Sequence, residues 1–271
     1  MGQTVLRIAS LILFCACALA EEECTLIDDL KRLKIQSRLN RHLVGHWKMD
    51  EQEKNNVDDD SGNELHGMAT STTKVSRGKF TRGRYFSSTS DNIIVPKSPL
   101  MDFGSNSFSF AGWIKAENYT YPHTAFSARQ GFGCYFKPGR PGFTAGWEIG
   151  HGHSVGNDKT SICIRDDSQN YVRKYIKHDA GFQGAALLNK WAHFTIAFDR
   201  HAQRVNLYIN GKKQDDYADI SKVKGSINND KPLNFGTLYG WKTKGTIDDY
   251  RMYNIALKSE EVAVIFENHR L

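Results

Sequence analysis

The chain has 271 residues, of which 39% are hydrophobic and 11% aromatic, enough to bury one substantial core and too patterned for a disordered polymer. Thirty-six Lys and Arg against 30 Asp and Glu give a net charge of +6. That balance is mildly basic with acids throughout, so it does not call for a nucleic-acid partner.

Residues 1–20 read as a secretory signal peptide: Arg7 supplies the charged region, Ile8 to Leu19 the apolar run, and Ala18-Leu19-Ala20 the cleavage site. The apolar run is too short to span a bilayer, and no later stretch reaches spanning length. The expectation is a secreted, extracellular protein beginning at Glu21, with no membrane insertion. Three cysteines remain in it: Cys24, Cys134 and Cys163. An odd number in an oxidising compartment suggests one internal disulfide, Cys134 with Cys163, and one thiol, Cys24, for another chain. A bridge from Cys24 to either of the others is the alternative.

Residues 21–42 are read as an N-terminal helical extension. Leu26, Leu30, Leu33 and Ser37 recur at 4, 3, 4 spacing; Asp28 and Asp29 come early and the bases late, as the helix dipole prefers. A helix this short needs a partner for its leucine stripe. A homo-oligomer through this helix and Cys24 is one expectation, and docking on its own domain is the other.

From Leu43 the pattern changes to short alternating runs separated by Gly, Asn, Asp and Ser. Phe108, Phe110, Gly112 and Ile114 share one face; Phe194, Ile196 and Phe198 repeat the pattern, followed by Val205, Leu207 and Ile209. Asn210-Gly211 then signals a hairpin, because both turn positions want positive φ. About a dozen such strands, with a short helix from Ser259 to Asn268 capped by Ser259, predict a β-sandwich. The last strand contains Asp248 and Asp249. Side-chain alternation predicts that they point to opposite faces, one towards solvent.

The order of motifs resembles the LamG-like jelly roll of the concanavalin A-like lectin/glucanase superfamily. The blocks are Leu43 to Glu51 with Asp60-Ser61-Gly62-Asn63, Gly78 to Phe86 with Ile93 to Pro96, Phe108 to Lys115, Trp191 to Asp199 with Leu207 to Gly211, and Ile247-Asp248-Asp249 with Ala256-Leu257. The resemblance implies an all-β fold over 43–271: a two-sheet antiparallel jelly-roll sandwich with short N-terminal and C-terminal helices. It also implies that first and last strands are neighbours, with a structural calcium ion held by Asp60, Asn63 and Asp248; hard oxygen donors of this kind suit Ca²⁺, and the alternative is an Asx-type turn with a solvated acidic run over Asp58, Asp59 and Asp60.

For function, the superfamily points to a non-catalytic module that binds glycans or extracellular-matrix components. The alternative is a structural matrix or biomineral-associated protein without a ligand pocket, and a glycoside hydrolase is third, since the Glu-x-Asp-x-x-Glu strand motif of the superfamily's hydrolases is missing and Asp248 and Asp249 are a poor acid/base pair. The His-x-Cys-x-Ser/Thr-Trp signature of pentraxins is missing too. Gly152-His153-Ser154-Val155-Gly156 matches a nucleophile elbow, but a strand-like run follows where an elbow needs a helix. His151 and His153 lack further ligands at metal-binding spacing. Asn118-Tyr119-Thr120 is an N-glycosylation sequon. Arg77, Lys79, Arg82 and Arg84 form a basic cluster, and Tyr121, Trp147, Tyr239 and Trp241 are candidates for stacking on sugar rings.

Overall fold

In the computed structural model the described residues are 26–53, 55–70, 72–88, 90–117, 124–129, 144–153, 156–183, 186–236 and 244–267, with backbone only at 124–129, 151–153 and 156–157. The chain divides into two compact units, one ending at Arg41 and one running from His42 to Leu271. The described part of the first is a single helix, α1, over residues 26–42, whose last residue falls just past the boundary.

The second unit is a pair of antiparallel sheets. One has the order β14 (Lys212–Asp219), β13 (Arg204–Ile209), β12 (Trp191–Asp199), β7 (Phe108–Ala116), β16 (Gly245–Tyr253), β5 (Arg82–Phe86) and β4 (Lys74–Arg77), and β1 (Leu43–Trp47) also pairs with β16. The other has the order β11 (Tyr171–Lys177), β10 (Gly156–Arg165), β9 (Gly146–His153), β8 (Thr124–Arg129), β15 (Leu233–Gly236), β6 (Asn92–Val95), β3 (Gly67–Ala69) and β2 (Asn56–Val57). This is the expected sandwich, and its terminal strands are neighbours: Leu43 lies opposite Tyr253 and Trp47 opposite Tyr250.

The core lies between the sheets, where alternation delivers aromatic rings from both. Phe108 of β7 is 5.4 Å from Trp147 of β9, and Phe110 is 6.0 Å from Phe235 of β15. Trp47 is fully buried 4.9 Å from Phe235, its indole N–H donating to the Leu65 carbonyl. Trp147 is thus a core residue, not a sugar-stacking one. The Asn210-Gly211 hairpin forms as predicted, with φ of 49° and 78°.

The C-terminal helix α2 (Ser259–Glu267) starts one residue earlier than a Ser259 cap requires. Glu261 turns back to accept the Lys258 N–H at 2.8 Å, as the acidic half of a capping box does, so Lys258 occupies the cap. Val262, Val264 and Ile265 are buried, while Phe266 lies 5.6 Å from Trp113, a residue on the sheet face opposite the core.

Candidate functional site

Two polar regions stand out. The first joins the ends of the domain. The β16 register slips between Asp248, opposite Trp113, and Arg251, opposite Ala111, and Asp249 takes a left-handed φ of 52°. This β-bulge inserts one residue, so alternation fails and both carboxylates turn away from the core. Both are buried, at 0% and 2% exposure, which corrects the expectation that one faces solvent. Asp248 Oδ2 accepts the N–H groups of Lys79 (2.7 Å) and Phe80 (3.1 Å) in the β4–β5 turn. Asp249 Oδ1 lies 2.7 Å from His46 Nε2, and the carboxylate pairs with Arg251 Nη2 at 3.1 Å. Burial lowers the His46 pKa, against the pull of Asp249, leaving the imidazole neutral beside an Asp–Arg pair.

His46 also connects to the acidic turn, through a residue not singled out from the sequence. Asp59 is buried and accepts four hydrogen bonds: from the N–H groups of His46 (2.7 Å), Ser61 (2.9 Å) and Leu65 (2.9 Å), and from the Ser61 hydroxyl (2.8 Å). The Ser61 N–H to Asp59 bond is the Asx turn given as the alternative to calcium, but the carboxylate that makes it is buried and not solvated. The Asp58–Asp60 run and the Asp248–Asp249 pair do meet, but through Asp59 and Asp249 on either side of His46.

Asp60, Asn63 and Asp248 are not brought together. Asp60 pairs with the Lys48 ammonium at 2.9 Å, and Asn63 donates its amide hydrogens to the carbonyls of Leu43 (3.2 Å) and Val44 (3.0 Å). A lysine beside the carboxylate and an amide turned by its NH₂ both oppose cation binding, and Asp248 serves a different turn. Among the described residues no three His, Cys, Asp or Glu side chains form a metal-sized group. These three residues therefore do not fit a shared calcium ion.

The second region is the outward face of β9, β10 and β11. Cys163 lies opposite both Glu148 and Arg173, Ser161 opposite Tyr175, and Arg165 opposite Tyr171. Strand period thus puts Tyr171, Arg173 and Tyr175 in one row with Arg165, Cys163 and Glu148 beside it. The Arg165 guanidinium sits 4.8 Å from the Tyr171 ring centroid and donates to Gln169 at 3.0 Å; that of Arg173 is 5.1 Å from the Tyr175 ring and donates to its hydroxyl. These cation–π pairs hold both guanidinium planes in place. Burial pushes the Tyr175 phenol pKa up, with Arg173 opposing and Glu148 adding, so the hydroxyl stays protonated as a donor. Tyr171 is 37% exposed and Arg173 and Tyr175 are half-buried, whereas Glu148, Ser161, Cys163 and Arg165 beside them are buried. The sequence signal was the alternation Tyr171-x-Arg173-x-Tyr175 itself.

Other predicted positions resolve differently. The basic cluster disperses: Arg84 is fully buried, pairing with Glu51 at 2.9 Å, Arg82 reaches Asp50, and Lys79 lies 4.4 Å above Trp113. The Gly152–Gly156 motif joins two paired antiparallel strands, the context of a hairpin and not of an elbow; Ser154 itself, and the side chains of His151 and His153, lie outside the described residues. Cys24, Asn118, Tyr121, Cys134, Tyr239 and Trp241 also lie outside them, as does the signal-peptide segment. Cys163 is disulfide-bonded, and its partner is not among the described residues.

A laminin G family model described as Concanavalin A-like lectin/glucanases superfamily matches residues 87–263. The chain belongs to the concanavalin A-like lectin/glucanases superfamily. No curated protein matches it. Solved structures similar to this superfamily member include the binding domain of Paraclostridial Mosquitocidal Protein 1, at TM-score 0.65 and 18% identity over 84% of this chain and 52% of that one. The Botulinum neurotoxin serotype D binding domain matches at TM-score 0.65 and 16% identity, over 86% of this chain and 52% of that one. The binding domain of Botulinum neurotoxin DC, solved in complex with rat synaptotagmin II, matches at 0.62 and 16%, over 84% and 52%. The chain spans about half the length of these structures, and at such identities the likeness is one of fold.

Proposed function

We propose that this protein is a secreted, non-catalytic binding module for extracellular glycans, with the outward face of β9–β11 as its contact surface. The observation that carries this reading is the ordered Arg–Tyr row. The exposed Tyr171 ring with the half-buried Arg173 guanidinium and Tyr175 hydroxyl combine apolar ring surface with fixed donors, the combination a polyhydroxylated and partly anionic sugar uses, while Arg165, Ser161 and Glu148 lie buried beside them. That the similar solved structures are binding domains accords with a binding role.

Against catalysis, Glu148 is the one carboxylate among the described outward side chains of these three strands, whereas glycoside hydrolysis uses two flanking the bond. Asp248 and Asp249 are committed to buried structural contacts. Removal of the signal peptide, a Cys134–Cys163 bridge and a glycan on Asn118 complete the proposal as features of an extracellular protein.

The test is a glycan array followed by calorimetric titration of the secreted chain. Saturable, selective binding of acidic glycans is expected, weakened at least about tenfold by Arg173→Ala and by Tyr171→Ala with the fold intact. Absence of binding, or binding indifferent to both substitutions, overturns the assignment of this face. Uniform binding that vanishes with salt would instead identify charge-driven matrix association.

A further inference from the structure

We infer that α1 is a self-association element that pairs, parallel and in register, with α1 of a second copy. Leu26, Leu30 and Leu33 are 60%, 57% and 65% exposed and Ile27 is 45% exposed, the densest run of exposed large apolar side chains among the described residues. They fall on one face at the 4, 3 spacing of a coiled-coil seam, with Leu26 and Leu33 at d and Leu30 at a. An apolar stripe of this kind needs a cover in water.

Charge selects the occupant and its direction. With this register Asp29 is a g residue and Lys34 the e residue five positions on, and both are exposed. In a parallel, in-register pair each Asp29 faces the Lys34 of the other copy, so twofold symmetry makes the ion pair twice. Antiparallel pairing instead sets Asp29 against Gln36 and Ile27 against Lys34, and gains no ion pair. Asp28 and Lys31, bonded to each other at 3.0 Å, lie on the side away from the seam and take no part. The seam turns polar at Ser37 and Asn40, which limits the pairing to a few turns and makes it concentration-dependent, with a dissociation constant on the order of micromolar. Association in this form presents two glycan-contact faces from one particle, but it does not depend on what those faces bind.

The test is light scattering and sedimentation of the full secreted chain across concentrations, with Cys24→Ser so that no thiol contributes. A monomer–dimer equilibrium is expected, weakened about a hundredfold or more by Leu30→Glu, a substitution at an exposed site that leaves the sandwich melting unchanged. Asp29→Lys and Lys34→Glu are each expected to weaken the dimer several-fold, and the two together to restore it. A monomer at all concentrations overturns the proposal. A dimer indifferent to Leu30→Glu overturns the seam, and failure of the double charge reversal to restore affinity overturns the parallel register.

Discussion

Tyr250 and Gly112 define each other. A Cβ at position 112 would come within 2.1 Å of the Tyr250 ring, so Gly112→Ala displaces an aromatic wedged between Phe110 and Phe235 and is expected to cost about 3 kcal/mol or more. The Tyr250 hydroxyl, by contrast, is buried without a hydrogen-bond partner, and burial drives its pKa well up. An unpaired buried hydroxyl is a liability. Tyr250→Phe is therefore expected to stabilise the domain by about 1 kcal/mol, read as a raised urea midpoint; a loss of stability would mean that the hydroxyl has a partner.

The β16 bulge converts a strand into a junction. By placing Asp248 and Asp249 on one side it lets a single element hold the β4–β5 turn with one carboxylate and β1 with the other. Removing one member of a buried ion pair strands its partner, so Asp249→Ala should destabilise by about 3–5 kcal/mol with Arg251 left uncompensated. Asp249→Asn keeps an acceptor and tolerates the left-handed backbone, and should cost less. Denaturant unfolding of the two variants checks the order; equal losses would show that the charge, not the hydrogen bond, is what matters.

Acid is the condition that bears on the whole domain. His193 is buried beside Trp113 and Phe266, where burial lowers its pKa to about 3, and burial lowers that of His178 to about 4. Both bind protons more readily when unfolded, near the ordinary 6.5, so their contribution to stability is full above that pH and falls as pH drops towards the folded values. At pH 5 the loss is about 2 kcal/mol for each. His46 adds in the same sense, whereas Glu51, raised by burial, opposes at the acid end. Asp91 and Asp166 are held low by backbone N–H groups despite burial, and their losses come only below the ordinary carboxylate range. Urea midpoints should fall between pH 7 and 5, less steeply in His193→Phe; a flat profile would refute the assignment. Melting curves with calcium or a chelator should superimpose, and a calcium-dependent rise lost in Asp248→Ala would reinstate the Asp60, Asn63 and Asp248 site.

The sandwich was legible in the chain because side-chain alternation and the Asn210-Gly211 turn are local properties, set by residues within a strand's length of one another. The exposed stripe of α1 was legible for the same reason, as a spacing on one helix. The acidic junction was not. Its clusters were visible and their meeting foreseeable from neighbouring end strands, but the pairs that engage are Asp59 and Asp249, each one position from those chosen. A single-residue bulge reverses which way a strand residue points, and the Asx turn decides which of three consecutive aspartates is buried. Both depend on where β1, β7 and β16 find their register, which is fixed by packing across the sheet. The Arg–Tyr face had the same origin: period two places the row along β11, and only sheet pairing sets Glu148, Cys163 and Arg165 beside it.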